Sequence, residues 1–306
     1  MILTVASGKG GTGKTTVATS LALAIADLSP LFLDCDVEAP NAHIFLNPEI
    51  TQSQIVNLPI PAVDESRCEG CGRCAEVCQY HAIVLIGGKV LVFPELCHGC
   101  GSCTLQCPEG AIEEIPNKLG LLEAGVAKNE IRFARGTLDI GQPMAVPIIR
   151  TLQAWNPFGE LEPVIRDAPP GVSCPVVETM SGADFVLLVT EPTPFGLHDL
   201  QLAVQLTGEL GLPVGVVLNR EGIGDQRVDE YCQTAGIPIL MRIPYDERIG
   251  RAVADGKPLV EAFPDYLPRF RELFSCITDI LDEQKSMNHH VEEIVPISKG
   301  SENSGR

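Results

Sequence analysis

Eight cysteines and one glycine-rich loop carry the chemistry of this 306-residue chain. The cysteines fall in two runs, Cys68-x-x-Cys71-x-x-Cys74-x-x-x-Cys78 and Cys97-x-x-Cys100-x-x-Cys103-x-x-x-Cys107. Thiolates are soft ligands, and four in close succession suit an iron–sulfur cluster or zinc. Zinc knuckles usually supply cysteines in pairs, so runs of four favour clusters. The loop reads Gly8-Lys9-Gly10-Gly11-Thr12-Gly13-Lys14-Thr15-Thr16. It follows an apolar run, Ile2 to Ala6, and opens a helical pattern from Lys14 to Asp27. Glycines in that context let successive backbone N–H groups point into one concavity, and the helix N-terminus adds positive potential. Lys14 then reaches the outer phosphates of a nucleotide, and Thr15 ligates magnesium.

The cysteine runs resemble those of bacterial two-cluster ferredoxins. That resemblance implies crossed ligation, in which the fourth cysteine of each run serves the other cluster. One 4Fe-4S cluster is then held by Cys68, Cys71, Cys74 and Cys107, and the second by Cys78, Cys97, Cys100 and Cys103. Pro108 follows the second run as the pattern expects, whereas Gln79 stands at that place in the first, a departure that bears on one potential and not on ligation. His98 is expected at the surface. Of the other cysteines, Cys232 and Cys276 lie on helical patterns and read as small core residues, and Cys35 as buried. Cys174 is either structural or, by its offset from Asp167, similar to a cluster ligand of the nitrogenase iron protein.

The glycine loop resembles the deviant Walker A of the MinD and ParA ATPases, a family that includes Mrp-type iron–sulfur carriers. An ordinary phosphate loop has no need of Lys9; it is either a solvated charge or a second cation for the nucleotide. The resemblance implies that it reaches across a nucleotide-sandwich dimer, delivering charge as an arginine finger does. Asp34-Cys35-Asp36 is similar to the family's switch I, with Asp36 positioning the attacking water and Asp34 supporting magnesium. Asp167-Ala168-Pro169-Pro170-Gly171 is similar to its Walker B and switch II, Asp167 holding a magnesium-bound water. Hard carboxylate oxygens suit that ion. Asn219-Arg220 resembles the adenine-recognition position, and Pro244 to Asp246 the loop flanking the base. The implied cofactors are ATP or ADP, Mg2+ and two 4Fe-4S clusters.

These residues need a scaffold that brings strand ends together. Short apolar runs at Ile2 to Ala6, Leu31 to Asp34, Val164 to Asp167, Phe185 to Thr190, Val214 to Asn219 and Ile239 to Ile243 mostly alternate with helical patterns. Strands without polar alternation are buried on both faces, so the fold class is α/β: a P-loop NTPase with a doubly wound, mostly parallel sheet. Between Pro61 and Pro116 the alternation gives way to cysteines and glycines, and Cys68 to Ile83 is repeated by Cys97 to Ile112. The expected organisation is an ATPase domain in residues 1–61 and 117–285, an inserted small α+β two-cluster ferredoxin domain in 62–116, and a polar, disordered tail in 286–306. The apolar stripe from Leu267 to Leu281 is expected to dock on the core.

Composition narrows the function classes. A net charge of −18 repels phosphate backbones and anionic lipid, so nucleic acid is not an expected partner. No apolar run approaches the ~18 residues of a spanning helix, which argues against direct membrane insertion. Twelve cysteines without a leader segment point to a cytoplasmic protein with metal or redox chemistry. The first expectation is slow ATP hydrolysis in which nucleotide-dependent closure of a homodimer, or of a heterodimer with a paralogue, gates electron transfer to a redox or iron–sulfur protein partner. The alternatives are a redox-sensing positioning ATPase of the MinD type and an iron–sulfur cluster carrier of the Mrp type.

Overall fold

The computed structural model describes residues 1–159 and 161–294, with side chains as far as residue 286. Its strands are β1 (Ile2–Ala6), β2 (Leu31–Asp34), β3 (Glu49–Val63), β4 (Ile83–Ile86), β5 (Lys89–Val92), β6 (Ile112–Val126), β7 (Arg132–Leu138), β8 (Val164–Asp167), β9 (Phe185–Thr190), β10 (Val214–Glu221) and β11 (Ile239–Pro244). Its helices are α1 (Lys14–Ala24), α2 (Ala42–Leu46), α3 (Arg73–Val77), α4 (Ser102–Leu105), α5 (Val146–Ala154), α6 (Cys174–Met180), α7 (Pro194–Glu209), α8 (Arg227–Ala235), α9 (Glu247–Ala254), α10 (Leu259–Ala262) and α11 (Tyr266–Ile294). Among the described residues, nine strands form one sheet in the order β11-β10-β9-β1-β8-β2-β7-β6-β3. The run from β11 to β7 is parallel, and β6 and β3 are added antiparallel at one edge.

Alternation along the central strands divides the core in two. Leu3, Val5, Phe185, Leu187 and Val189 pack with residues of α1 and α11, while Ala6, Val186 and Leu188 pack with α6, α7 and α8. The near-continuous apolar runs of these strands are therefore required by helices on both faces. On α11 the buried residues Phe270, Leu273, Ile277 and Leu281 recur at helical spacing, which seats the stripe on the sheet as expected. The helix runs on to Ile294, so residues 286–294 depart from the expected disorder. Extending a helix already nucleated on the core fixes one residue per added bond, without a new nucleus. Residues 295–306 lie outside the described residues.

The largest departure from the sequence reading is the edge formed by β3 and β6. They pair over almost their whole length, from Glu49 opposite Val126 to Val63 opposite Ile112. This ribbon leaves the main sheet and carries the cysteine-bearing segment at its far end. The expected division at 61/62 and 116/117 therefore falls inside paired strands, where no linker interrupts the chain. Beyond Val63 the segment holds α3, the hairpin β4-β5 and α4.

Candidate functional site

The phosphate loop lies at the carboxyl end of β1, the edge where ligands of open α/β sheets collect. Gly13 caps α1 at φ 95°, a left-handed conformation that side chains resist. A Cβ there would also stand 2.5 Å from Asn219 Nδ2, which donates to the Thr12 carbonyl at 2.7 Å. Gly13 thus lets β10 approach the loop. A cavity of about 730 Å³ opens beside it, within the range that encloses small ligands. Among its walls are Gly10, Gly11, Gly13, Lys14, Thr15, Thr16, Asp36, Asn219, Arg220, Pro244 and Asp246. Eleven residues proposed from sequence for one nucleotide therefore line one space. Lys14 is 6% exposed, so its charge is held in a low-dielectric wall where it attracts phosphate strongly.

The acidic groups sit at neighbouring strand ends. Asp167, at the end of β8, is fully buried, and its Oδ2 accepts from Thr15 Oγ1 at 2.6 Å. Its Oδ1 is buried without a partner, as is the Thr12 hydroxyl. An orphaned carboxylate oxygen beside Thr15 and Lys14 fits a hard cation or its water, so Thr15 and Asp167 could hold magnesium. Burial pushes the Asp167 carboxyl up to about 6, against the Lys14 charge and the Thr15 hydroxyl. Asp36 lines the cavity, and burial raises its carboxyl too, with Lys14 opposing. Asp34 is engaged differently. Its Oδ2 accepts from the Ala42 N–H at 3.0 Å and its Oδ1 from the Asp36 N–H at 3.3 Å, so it pins the loop between β2 and α2. Burial, reinforced by Asp167, pushes Asp34 up to about 8.

Lys9 does not line the cavity. Its Nζ is paired with Glu191 Oε1, and Arg220 Nη1 reaches Glu191 Oε2 at 2.8 Å. Burial alone would raise Glu191, which is 8% exposed, but the two cations hold it below the usual carboxylate range. Arg220 adopts φ 54°, rare for a non-glycine residue, and its Nη2 donates to the Gly11 carbonyl at 3.0 Å. Glu191 is the site residue that sequence reasoning missed. It follows β9 with no spacing signal; a lone carboxylate after a strand is recognisable only when tertiary structure supplies its partners. Gly8 abuts α7: a Cβ there would meet the Asp199 backbone at 2.1 Å.

The cysteines sort into two small cavities. Cys68, Cys71, Cys74 and Cys107 line one, with Val63, Val90 and Ile112 among its walls. Cys78, Cys97, Cys100 and Cys103 line the other, with Pro59 and Pro61 of β3. The fourth cysteine of each run thus faces the three of the other run. Backbone N–H groups of Ala82, Ala111 and Gly99 donate to the Sγ atoms of Cys78, Cys107 and Cys97 at 3.3, 3.3 and 3.4 Å. Such donors stabilise a thiolate and tune the potential of any cluster it ligates, so each set could hold a four-iron cluster. Among the described residues, no three His, Cys, Asp or Glu side chains are grouped to hold a single metal ion, whose tetrahedral thiolates would stand about 3.8 Å apart. His98 is exposed and stacks on Tyr80 at 3.6 Å between ring centroids. Cys35 and Cys232 are buried, Cys276 half-buried and Cys174 exposed.

Comparison with known proteins bears on the sheet and the phosphate loop together. Residues 3–259 match the family described as CobQ/CobB/MinD/ParA nucleotide binding domain. An uncharacterized protein of Methanocaldococcus jannaschii is 29% identical over 269 residues, covering 85% of this chain and 92% of that one. The human cytosolic Fe-S cluster assembly factor NUBP2 is 26% identical over 302 residues, 92% of each chain. The fold is similar to that of the Pyrococcus furiosus cell division ATPase MinD, at 20% identity and a TM-score of 0.54, over 91% of this chain and 98% of that one. It is also similar to the septum site-determining protein MinD of Pyrococcus horikoshii, at 20% identity and a TM-score of 0.53, over 89% and 93%.

Proposed function

The chain belongs to the CobQ/CobB/MinD/ParA nucleotide-binding family, and from that premise we propose that it is a slow ATPase carrying two 4Fe-4S clusters, whose nucleotide-dependent dimer closure gates electron transfer to a protein partner. The observation that carries this reading is the sorting of eight cysteines, four and four in the crossed pattern, at the end of a ribbon continuous with the ATPase sheet. The crossing uses residues far apart in sequence, which chance packing of thiols does not explain.

In this reading the phosphate loop binds the triphosphate through its backbone N–H groups and Lys14. Thr15 and Asp167 would hold magnesium, which supplies charge neutralisation between the phosphates. Asp36, at the cavity wall, orients the attacking water and accepts its proton at a carboxylate oxygen. Asn219 and Arg220 border the base on one side, Pro244 to Asp246 on the other. Lys9 must leave Glu191 to act on the nucleotide of a second subunit, so closure exchanges one carboxylate partner for a phosphate. The eight cysteines would hold the clusters, which supply one-electron chemistry at low potential. Typical coupling of ~1 to 3 kcal/mol between closure and the clusters would move a one-electron potential by roughly 40 to 130 mV.

Anaerobic purification with iron counting, followed by paramagnetic resonance and potentiometry with and without magnesium-ATP, tests the whole reading. About eight irons per chain and a nucleotide-dependent potential are expected. Potentials and transfer rates indifferent to nucleotide overturn the gating. A second reading, cluster delivery to apo-proteins, is favoured by the likeness to NUBP2 and by the exposed thiol of Cys174. It predicts that cluster transfer fails in Cys174→Ala.

A further inference from the structure

The two cysteine cavities are not placed alike relative to the nucleotide site, and the difference follows from α5 and α6. The Asp167 to Gly171 segment leads directly into α6, and Gly171 donates to the Ser7 carbonyl of the phosphate loop at 3.0 Å. The far end of α6 is held firmly. Buried Arg166, beside Asp167 on β8, donates through Nη1 to the carbonyls of Thr179 and Ser181 at 3.0 and 2.8 Å. These are terminal carbonyls that a helix cannot satisfy itself. Arg150 of α5 then clasps Glu178 of α6 with two parallel bonds of 3.0 and 2.8 Å, and Gln153 Nε2 donates to the Glu178 and Thr179 carbonyls. Bidentate geometry fixes orientation as well as distance.

α5 in turn is keyed to the ribbon. Ile148 lies over Gly120 and Gly136, where a Cβ would come within 2.5 and 2.7 Å of its side chain. Only glycine admits so close an approach, so α5 packs directly on the β6-β7 surface. Just before α5, Met144 packs against the cluster of Leu58, Ile60, Ala82 and Cys97, with Cys78 beside it. Gly99 is pressed onto Leu58, whose Cδ1 would lie 2.9 Å from an added Cβ. Among the described residues, the Cys68, Cys71, Cys74 and Cys107 cavity meets none from the α5 side: its apolar surroundings are Val63, Val90, Val92 and Ile112, with Ile83, Cys78 and Cys103 shared with the other cavity.

We propose that α5 and α6 form a two-helix link that carries the state of the Asp167 to Gly171 segment to the Cys78, Cys97, Cys100 and Cys103 cavity first, the other cavity being reached only through it. The inference rests on the ATPase and cluster reading above and adds which cavity feels the nucleotide first and through which side chains. Arg150, Gln153 and Met144 are positioning residues: none touches the nucleotide cavity or replaces a thiol ligand. The warrant is an unbroken run of contacts, and a run of contacts becomes coupling only when breaking it abolishes a response.

The test is amide hydrogen exchange on the cluster-loaded protein, with magnesium and a non-hydrolysable ATP analogue as the probe. In the wild type, exchange at residues 97–103 changes by about threefold or more on adding the analogue, and residues 68–74 change less. Arg150→Ala with Gln153→Ala, and separately Met144→Ala, erase that change while analogue affinity stays within about twofold of wild type. The charge swap Arg150→Glu with Glu178→Arg restores part of it. A response in both cavities alike, or variants that keep the wild-type response, overturns the link while leaving the ATPase reading intact. A wild type that binds the analogue without responding overturns the link and the coupling reading together, and failure to bind the analogue overturns the nucleotide-site assignment beneath both.

Discussion

The nucleotide cavity and the two cysteine cavities are built on opposite principles. The first is wide, open and charged, with Lys14, Asp36 and Arg220 in its walls and an unsatisfied Asp167 oxygen behind them. The others are tight, with valine, isoleucine and proline among their walls, and their sulfurs meet backbone donors and the Ser102 hydroxyl. A wide charged space suits a ligand that enters, reacts and leaves, and a close wrap suits one that stays. The contrast teaches that a space open to exchange and a pair of closely walled cysteine sets occupy separate parts of one connected scaffold. What joins them is backbone ladder and helix packing.

The contrast can be broken from the nucleotide side first. Lys14→Ala removes a buried cation opposite the phosphates, and nucleotide affinity falls by about a thousandfold, the equivalent of ~4 kcal/mol, in calorimetric titration. Iron content stays at the wild-type value, and if it falls as well the two regions are not independent in assembly. Asp36→Ala keeps binding and slows hydrolysis by about a hundredfold in a phosphate-release assay. Equal loss of binding and turnover would instead make Asp36 a ligand-holding group. From the other side, Cys97→Ser lowers iron by about half while nucleotide affinity is unchanged, since each cavity carries its own set of four ligands.

A separate expectation is a pH tilt in the stability of the nucleotide-free protein. Burial raises Asp34 from 3.8 to about 8. The folded state therefore holds that proton more tightly than the unfolded state does. Stability from this group is complete below pH 3.8 and is lost as pH rises through about 8. Thermal melts from pH 5 to 8 should show the loss, and Asp34→Asn should lessen it, the remainder at the acidic end coming from Asp167. A wild-type melting point that rises across this range would contradict the buried placement of that carboxyl.

Much of this was legible in the sequence, for a physical reason. The phosphate loop, the cysteine runs and the parallel strands are local patterns, fixed by spacing and by burial on both faces, and six parallel strands stand within two residues of their expected bounds. The ribbon was hidden because Pro59, Pro61 and Pro116 interrupt what otherwise reads as strand. Pro59 and Pro116 face each other beyond the reach of β7, whose pairing with β6 ends at Gly120, so the missing N–H groups fall where a second partner strand is absent. β7 escaped notice because Arg132, Arg135 and Thr137 dilute its apolar character. Glu191 escaped because a carboxylate shared by two cations declares itself only in three dimensions.

The rung at which Val63 meets Ile112 has a consequence for the history of such a chain. The polypeptide enters and leaves the cysteine-bearing portion side by side, so in wiring diagram that whole portion is an overgrown hairpin tip. Trimming it to a tight turn would leave every parallel strand connected as before. The cysteine-bearing portion can therefore be gained or shed by lengthening or shortening one bend, with the parallel sheet beneath it left in its original order.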